Sequence, residues 1–178
     1  MLDEQYSRRA HEIGTGNITT ARQLKSAMER YVPTDAEFET AFSNARVSRP
    51  HLAKYYLRSI DKFTKEDPQP GYVSSDEADQ IALDYVLPLY APGVWDVNEE
   101  EAEAVHKMLG NMVLIKPSQN KVLAGKPFSK RREAYLNSGY YVTRTVADYS
   151  RWGAAEIKDR QAELARLAVQ TWSNTASG

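Results

Sequence analysis

The sequence predicts an α+β fold that is mainly helical, on three observations. Stretches with a helical apolar period occupy both ends of the chain, those near the N-terminus opened by capping-box spacing. Two short runs rich in branched apolar residues, 81–87 and Met112–Ile115, lie between them. Each run meets a breaker, Pro88 after the first and Gly110 before the second. With 178 residues, 42% of them hydrophobic, the chain is long enough for one core with a helical extension.

Taken in order, residues 1–16 read as a frayed segment closed by Gly14-Thr15-Gly16. Thr20-Ala21-Arg22-Gln23 has capping-box spacing and opens a helix with Leu24, Ala27, Met28 and Tyr31 on one face, which Pro33 ends. Thr34-Asp35-Ala36-Glu37 is a second capping box, followed by Phe38, Ala41 and Phe42. Pro50 suits the first turn of a third helix with Leu52, Tyr56, Ile60 and Phe63 inward. Residues 1–63 therefore form an N-terminal helical layer, and the polar, Pro-containing stretch 64–76 is a connector.

Residues 77–178 hold the rest of the fold. The run 81–87 is the first strand, ended by Pro88. Asn98-Glu99-Glu100-Glu101 opens a short helix with acid in its first turn, expected to stop at Gly110. Met112–Ile115 is the second strand, and 117–120 is a loop. Helices follow at 129–137 and 154–172, the last with Ile157, Leu164, Leu167 and Ala168 inward.

Composition narrows the function classes. Lys plus Arg number 23 and Asp plus Glu 24, so any polyanion-binding surface must come from local clustering. The absence of Cys excludes a disulfide framework and a thiolate zinc site, and fits a reducing cytoplasm. The opening Met-Leu-Asp-Glu-Gln lacks the build of a secretory leader, and no apolar run approaches ~18 residues, so a cytoplasmic protein without a membrane partner is expected.

The chemistry concentrates in Leu83-Asp84-Tyr85-Val86-Leu87-Pro88 and Leu109-Gly110-Asn111-Met112-Val113-Leu114-Ile115, with Asn120 nine residues past Asn111. Taken singly, each residue has an ordinary explanation. Tyr85 suits a strand, Gly110-Asn111 a helix stop, and Asn120 a turn. His106 sits where a cation complements a helix C-terminus. His11 and His51 lie outside the motif. From Lys116 to Arg132 the chain carries Lys116, Lys121, Lys126, Lys130, Arg131 and Arg132 with no acidic residue. That is either a solvated basic face or a salt-sensitive phosphate contact.

Together, acid–strand–Pro, then Leu-Gly-Asn–strand, then the nine-residue step to a second Asn, resemble the HNH or ββα-metal nucleases. Within that family the chain is most similar to the C-terminal nuclease domain of GmrSD-type bacterial restriction enzymes. Gly125-Lys126-Pro127-Phe128-Ser129-Lys130, then Tyr135, Trp152, Ile157, Arg160 and Trp172, extend the likeness, which spans roughly residues 30–173. The resemblance implies a small hairpin-plus-helix nuclease core surrounded by helices. It implies that Asp84 and Asn120 hold a divalent metal, Mg²⁺ or Mn²⁺, and that Asn111 orients the loop. Such a hard ion takes oxygen ligands. His106, just before Leu-Gly-Asn, would then support the site or contact phosphate.

Two positions depart from the pattern, Leu89 after the motif Pro and, more consequentially, Tyr85. The family places its His base at the latter. A phenol of ordinary pKa near 10 is only about one part in a thousand phenolate at pH 7. The resemblance further implies DNA as partner, modified phage DNA as target, and a ParB-like nucleotide-hydrolysing sensor domain, none of whose features lie in these residues. The leading expectation is a metal-dependent DNA endonuclease that nicks, in bacterial defence. The rivals are a non-cleaving DNA-binding domain of the same fold and a helical protein-interaction module.

Overall fold

The computed structural model describes residues 2–67, 80–90, 93, 95 and 97–173. Most of the connector, and residues 77–79, lie outside the described residues. The chain divides into two units, 1–38 and 39–178.

In the first unit, α1 (Leu2–Gly14) is a formed helix where fraying was expected. Its first turn carries Asp3 and Glu4, acidic residues that suit a helix N-terminus. Arg8 and Arg9 both pair with Glu12, at 3.2 and 2.6 Å. In α2 (Ala21–Met28), the Thr20 hydroxyl accepts from Gln23 N–H at 3.3 Å, and Thr20 N–H donates to the Gln23 side chain at 3.1 Å. Leu24, Ala27, Met28 and Tyr31 are half-buried, as their spacing predicts. The second capping box opens α3 (Asp35–Ser43), which spans the boundary.

The second unit holds the mainly helical α+β fold. Pro50 is at the first turn of α4 (Pro50–Phe63). The buried stripe of α4 runs through Ala53, Leu57 and Ile60, so the predicted Leu52, Tyr56 and Phe63 sit half-buried along its edges. Ala41 is exposed and only Phe42 of its pair is buried, packed edge-on against Tyr56 with ring centroids 5.6 Å apart.

The strands β1 (Ala82–Tyr85) and β2 (Met112–Ile115) pair antiparallel, with Asp84 opposite Val113 and Tyr85 opposite Met112. β1 is shorter than predicted. Val86 and Leu87 are fully buried but leave the ladder, and the Asn111 side chain, not a strand neighbour, satisfies the Leu87 backbone. Between the strands, α5 (Glu99–His106) starts on an Asn98–Glu101 capping box, Glu101 N–H reaching Asn98 at 2.9 Å. α5 ends at His106, and Leu109–Asn111 form a separate 3₁₀ turn. Pro117 starts α6 (Pro117–Leu123) where a loop was expected. Proline preorganises a first helical turn, Gln119 accepts from Lys116 N–H at 3.1 Å, and buried Leu123 anchors the end. Gly125, at φ +69°, then takes the left-handed turn into α7 (Phe128–Leu136). A short α8 (Tyr141–Arg144) and the 3₁₀ turn Thr145–Asp148 lead to α9 (Ala154–Thr171).

The core joins Val86, Leu87, Val113, Tyr135, Trp152 and Ile157, with Trp152 stacked on Phe128 at 5.5 Å. Gly110 is packed against α9 and is not a helix stop. A Cβ there would stand 2.1 Å from the Ile157 carbonyl oxygen, on backbone that cannot swing away. Gly110→Ala is therefore expected to destabilise the fold by about 2–3 kcal/mol, as a lowered urea midpoint at unchanged m-value.

Candidate active site

Asp84 faces out of β1 beside the start of α7, and its side chain retains 14% exposure. Its Oδ2 accepts from the Arg131 guanidinium at 2.8 Å and from the Tyr135 hydroxyl at 3.0 Å. Arg131 also donates to the carbonyls of Tyr85 at 3.1 Å and Lys126 at 3.2 Å. Burial nonetheless outweighs the Arg131 charge and these hydrogen bonds, and holds the Asp84 carboxyl above its usual pKa. The same burial, with the adjacent Asp84 charge, pushes the Tyr135 phenol far up. A carboxylate that is partly desolvated and tied down on one oxygen gains from a cation at the other. Oδ1 is committed to neither of those two side chains.

Asn111 is fully buried and its side chain makes four hydrogen bonds. Its Oδ1 accepts from Leu87 N–H at 2.8 Å and from the Trp152 indole at 3.2 Å. Its Nδ2 donates to the carbonyls of Leu87 at 2.9 Å and His106 at 3.3 Å. Each side of the amide meets the partner it requires, which fixes its orientation. Asn111 thus ties the exit of β1 to the end of α5, and it acts on the site through Leu87 and His106.

That tie brings two rings together. Tyr85 and His106 stack with centroids 4.3 Å apart and planes 15° from parallel. Burial raises the Tyr85 phenol above its ordinary pKa, making phenolate scarcer still. Burial also lowers His106; the Leu87 backbone opposes this, and the charges of Lys107 and Arg46 add to it. A lowered pKa weakens the attraction of this imidazole to a helix C-terminus, and its ring lines a cavity with Tyr85.

Asp84, Tyr85, His106, Asn120, Lys121 and Arg131 line one cavity of about 580 Å³. Asn120 reaches it from α6, a helix, and not from a turn. Among the described residues no three His, Cys, Asp or Glu side chains gather as a metal centre. The oxygen donors here are one carboxylate and one amide carbonyl, a set suited to a hard ion that keeps much of its water.

The basic residues divide. Lys116, Lys121 and Lys126 are exposed on or beside α6, and Lys121 reaches the cavity. Lys130 is exposed but pairs with Glu133 at 3.1 Å, and the Arg132 side chain donates to the Ala147 carbonyl at 2.6 Å. Arg131 is 4% exposed, and its guanidinium is held by Asp84 at the edge of the cavity.

Sequence reasoning missed Tyr135, as the second partner of Asp84, and Gln161. Gln161 accepts from Gly110 N–H at 2.6 Å and donates to the Phe42 carbonyl at 2.6 Å. The i, i+4 spacing of Arg131 and Tyr135 on one helix was the available signal for the first. Nothing local pointed to the second.

No helix among the described residues is long and apolar enough to cross a membrane. A search of curated proteins gives no match. Residues 32–167 match the family model described as GmrSD restriction endonucleases, C-terminal domain. That span covers the hairpin, the cavity and most of α9, and the chain belongs to this family, a nuclease domain of the restriction-endonuclease type.

Proposed function

We propose that this domain is a divalent-metal-dependent DNA endonuclease of an anti-phage restriction system, cutting one strand per site. The observation that carries the reading is the convergence of Asp84, His106 and Asn120 on one cavity beside exposed lysines. Asp84 and the Asn120 carbonyl would hold Mg²⁺ or Mn²⁺. Bound there, such an ion offsets charge on the scissile phosphate and on the leaving oxygen. Arg131 and Tyr135 hold Oδ2 of the Asp84 carboxylate, which lines the cavity. Lys116, Lys121 and Lys126 would meet backbone phosphates, giving salt-sensitive binding with little base preference. In this reading the substrate is DNA modified by the phage. A ParB-like nucleotide-hydrolysing sensor domain as partner, and a cytoplasmic setting, belong to the same reading.

Calorimetry tests the metal assignment. Asp84→Asn keeps the side-chain shape and an acceptor for Arg131 but loses the charge. Mg²⁺ or Mn²⁺ affinity is expected to fall by at least about tenfold, equivalent to about 1.4 kcal/mol. Asn120→Ala is expected to lower it by a smaller factor. Equal affinities in all three proteins would refute the assignment. A second reading, a non-cleaving DNA-binding domain of the same fold, is favoured by Tyr85 at the base position.

A further inference from the structure

We propose that His106 is the general base of this site, taking over from position 85 through the stack that joins the two rings. The inference rests on the nuclease reading above. Tyr85 sits one residue past Asp84 on β1, where a base would be aimed, but an ordinary phenol holds its proton at neutral pH. An imidazole is mostly neutral there and accepts a proton readily. Position 106 lies in the last turn of α5, far in sequence from β1, yet its ring lies parallel to that of Tyr85 at 4.3 Å and lines the same cavity as Asp84 and Asn120.

The ring is placed from two directions. Asn111 holds the His106 carbonyl at 3.3 Å, and the face of Tyr85 fixes the ring plane. The Leu87 backbone lies within hydrogen-bonding reach of the ring as well. Around it stand Tyr85 and Asp84 from β1, Lys107 at the end of its own helix, Arg46, and Lys121 and Arg131 on the cavity wall. The added positive charges favour the neutral, proton-accepting ring.

In the step itself, a water O–H gives its proton to the unprotonated ring nitrogen of His106 as the water oxygen bonds to phosphorus. The bond from phosphorus to the leaving nucleoside oxygen breaks, and that oxygen takes a proton from solvent. The imidazolium then returns its proton to solvent. Tyr85 is a platform for the ring and donates nothing to the chemistry.

The test uses the full chain on supercoiled plasmid with Mg²⁺ or Mn²⁺, comparing it with His106→Gly, with and without added imidazole, across pH 5 to 9. Nicking by His106→Gly is expected to drop by about a hundredfold or more, and imidazole to restore at least about tenfold of it. The unaltered chain is expected to show an acid limb whose midpoint matches the His106 pKa measured separately by NMR, below its ordinary value of about 6.5. Nicking by His106→Gly at the unaltered rate would overturn the base assignment and leave the nuclease reading standing. A folded variant that imidazole fails to rescue, or an acid limb that misses the NMR midpoint, would overturn it too. Should His106→Gly not fold, the comparison of midpoints in the unaltered chain decides alone. No nicking by the unaltered chain would bring down the nuclease reading, and this inference with it.

Discussion

Arg160→Met is expected to cost about 4 kcal/mol or more, a large part of the 5–15 kcal/mol that holds a typical domain together. Arg160 is 1% exposed and lies on the inner face of α9. Its guanidinium donates to the carbonyls of Leu109 at 3.1 Å, Gly110 at 2.7 Å, Met112 at 3.0 Å and Val142 at 2.5 Å. Burial lowers its pKa to about 10, which leaves it charged at neutral pH. Methionine fills most of the volume but offers no donor. Each carbonyl stranded without a partner costs on the order of 1–3 kcal/mol, less where a second acceptor contact persists. Urea unfolding followed by far-UV dichroism measures the loss. Arg151→Met is the control. That side chain is 83% exposed and pairs with Glu156 on the surface, so its change should stay within about 1 kcal/mol. Equal midpoints for Arg160→Met and the unaltered protein would show that the carbonyl cluster does not depend on this residue.

Asn111→Ala is expected to weaken both the fold and the site. The Leu87 N–H and the Trp152 indole lose their acceptor, and the carbonyls of Leu87 and His106 lose their donor, at an expected cost of about 3 kcal/mol. The link between β1 and α5 goes with them, so the Tyr85–His106 stack loses its register. Nicking should therefore fall further than the fraction unfolded accounts for, at a temperature where the variant remains folded. Asn111→Asp is not expected to rescue. It keeps the two acceptor contacts, but it puts charge in a fully buried position and replaces the Nδ2 donor with an oxygen that both carbonyls repel. A melting temperature and a nicking rate that both match the unaltered chain would refute the role.

Much of this was legible in the sequence because it is local. Thr20, Thr34 and Asn98 each stand three residues before a Gln or Glu, and each closes a capping box. The two apolar runs and their breakers marked the hairpin, and the order Asp84, Asn111, Asn120 marked the family. What local pattern could not carry was the work of buried polar side chains. Arg131 reads as one of six cations in an acid-free stretch, and only the approach of α7 to β1 turns it into the partner of Asp84. Arg160 and Gln161 look like two polar residues on a surface helix, but both are buried to receive the Leu109–Asn111 turn. Asn120 reads as a turn residue because Pro117 stops one pattern while starting another. The stack of Tyr85 on His106 depends on an antiparallel register and a helix end 21 residues apart in sequence, which no period encodes.

The central claim is that the cavity cuts DNA with a cation held by Asp84. Supercoiled plasmid incubated with Mg²⁺ tests it most directly, with the unaltered chain beside Asp84→Asn and a chelator control. The account predicts nicked circles from the unaltered chain, none with chelator, and a rate at least about a thousandfold lower for Asp84→Asn. Salt-sensitive DNA binding with no nicking under any cation, or nicking that Asp84→Asn leaves unchanged, would contradict it.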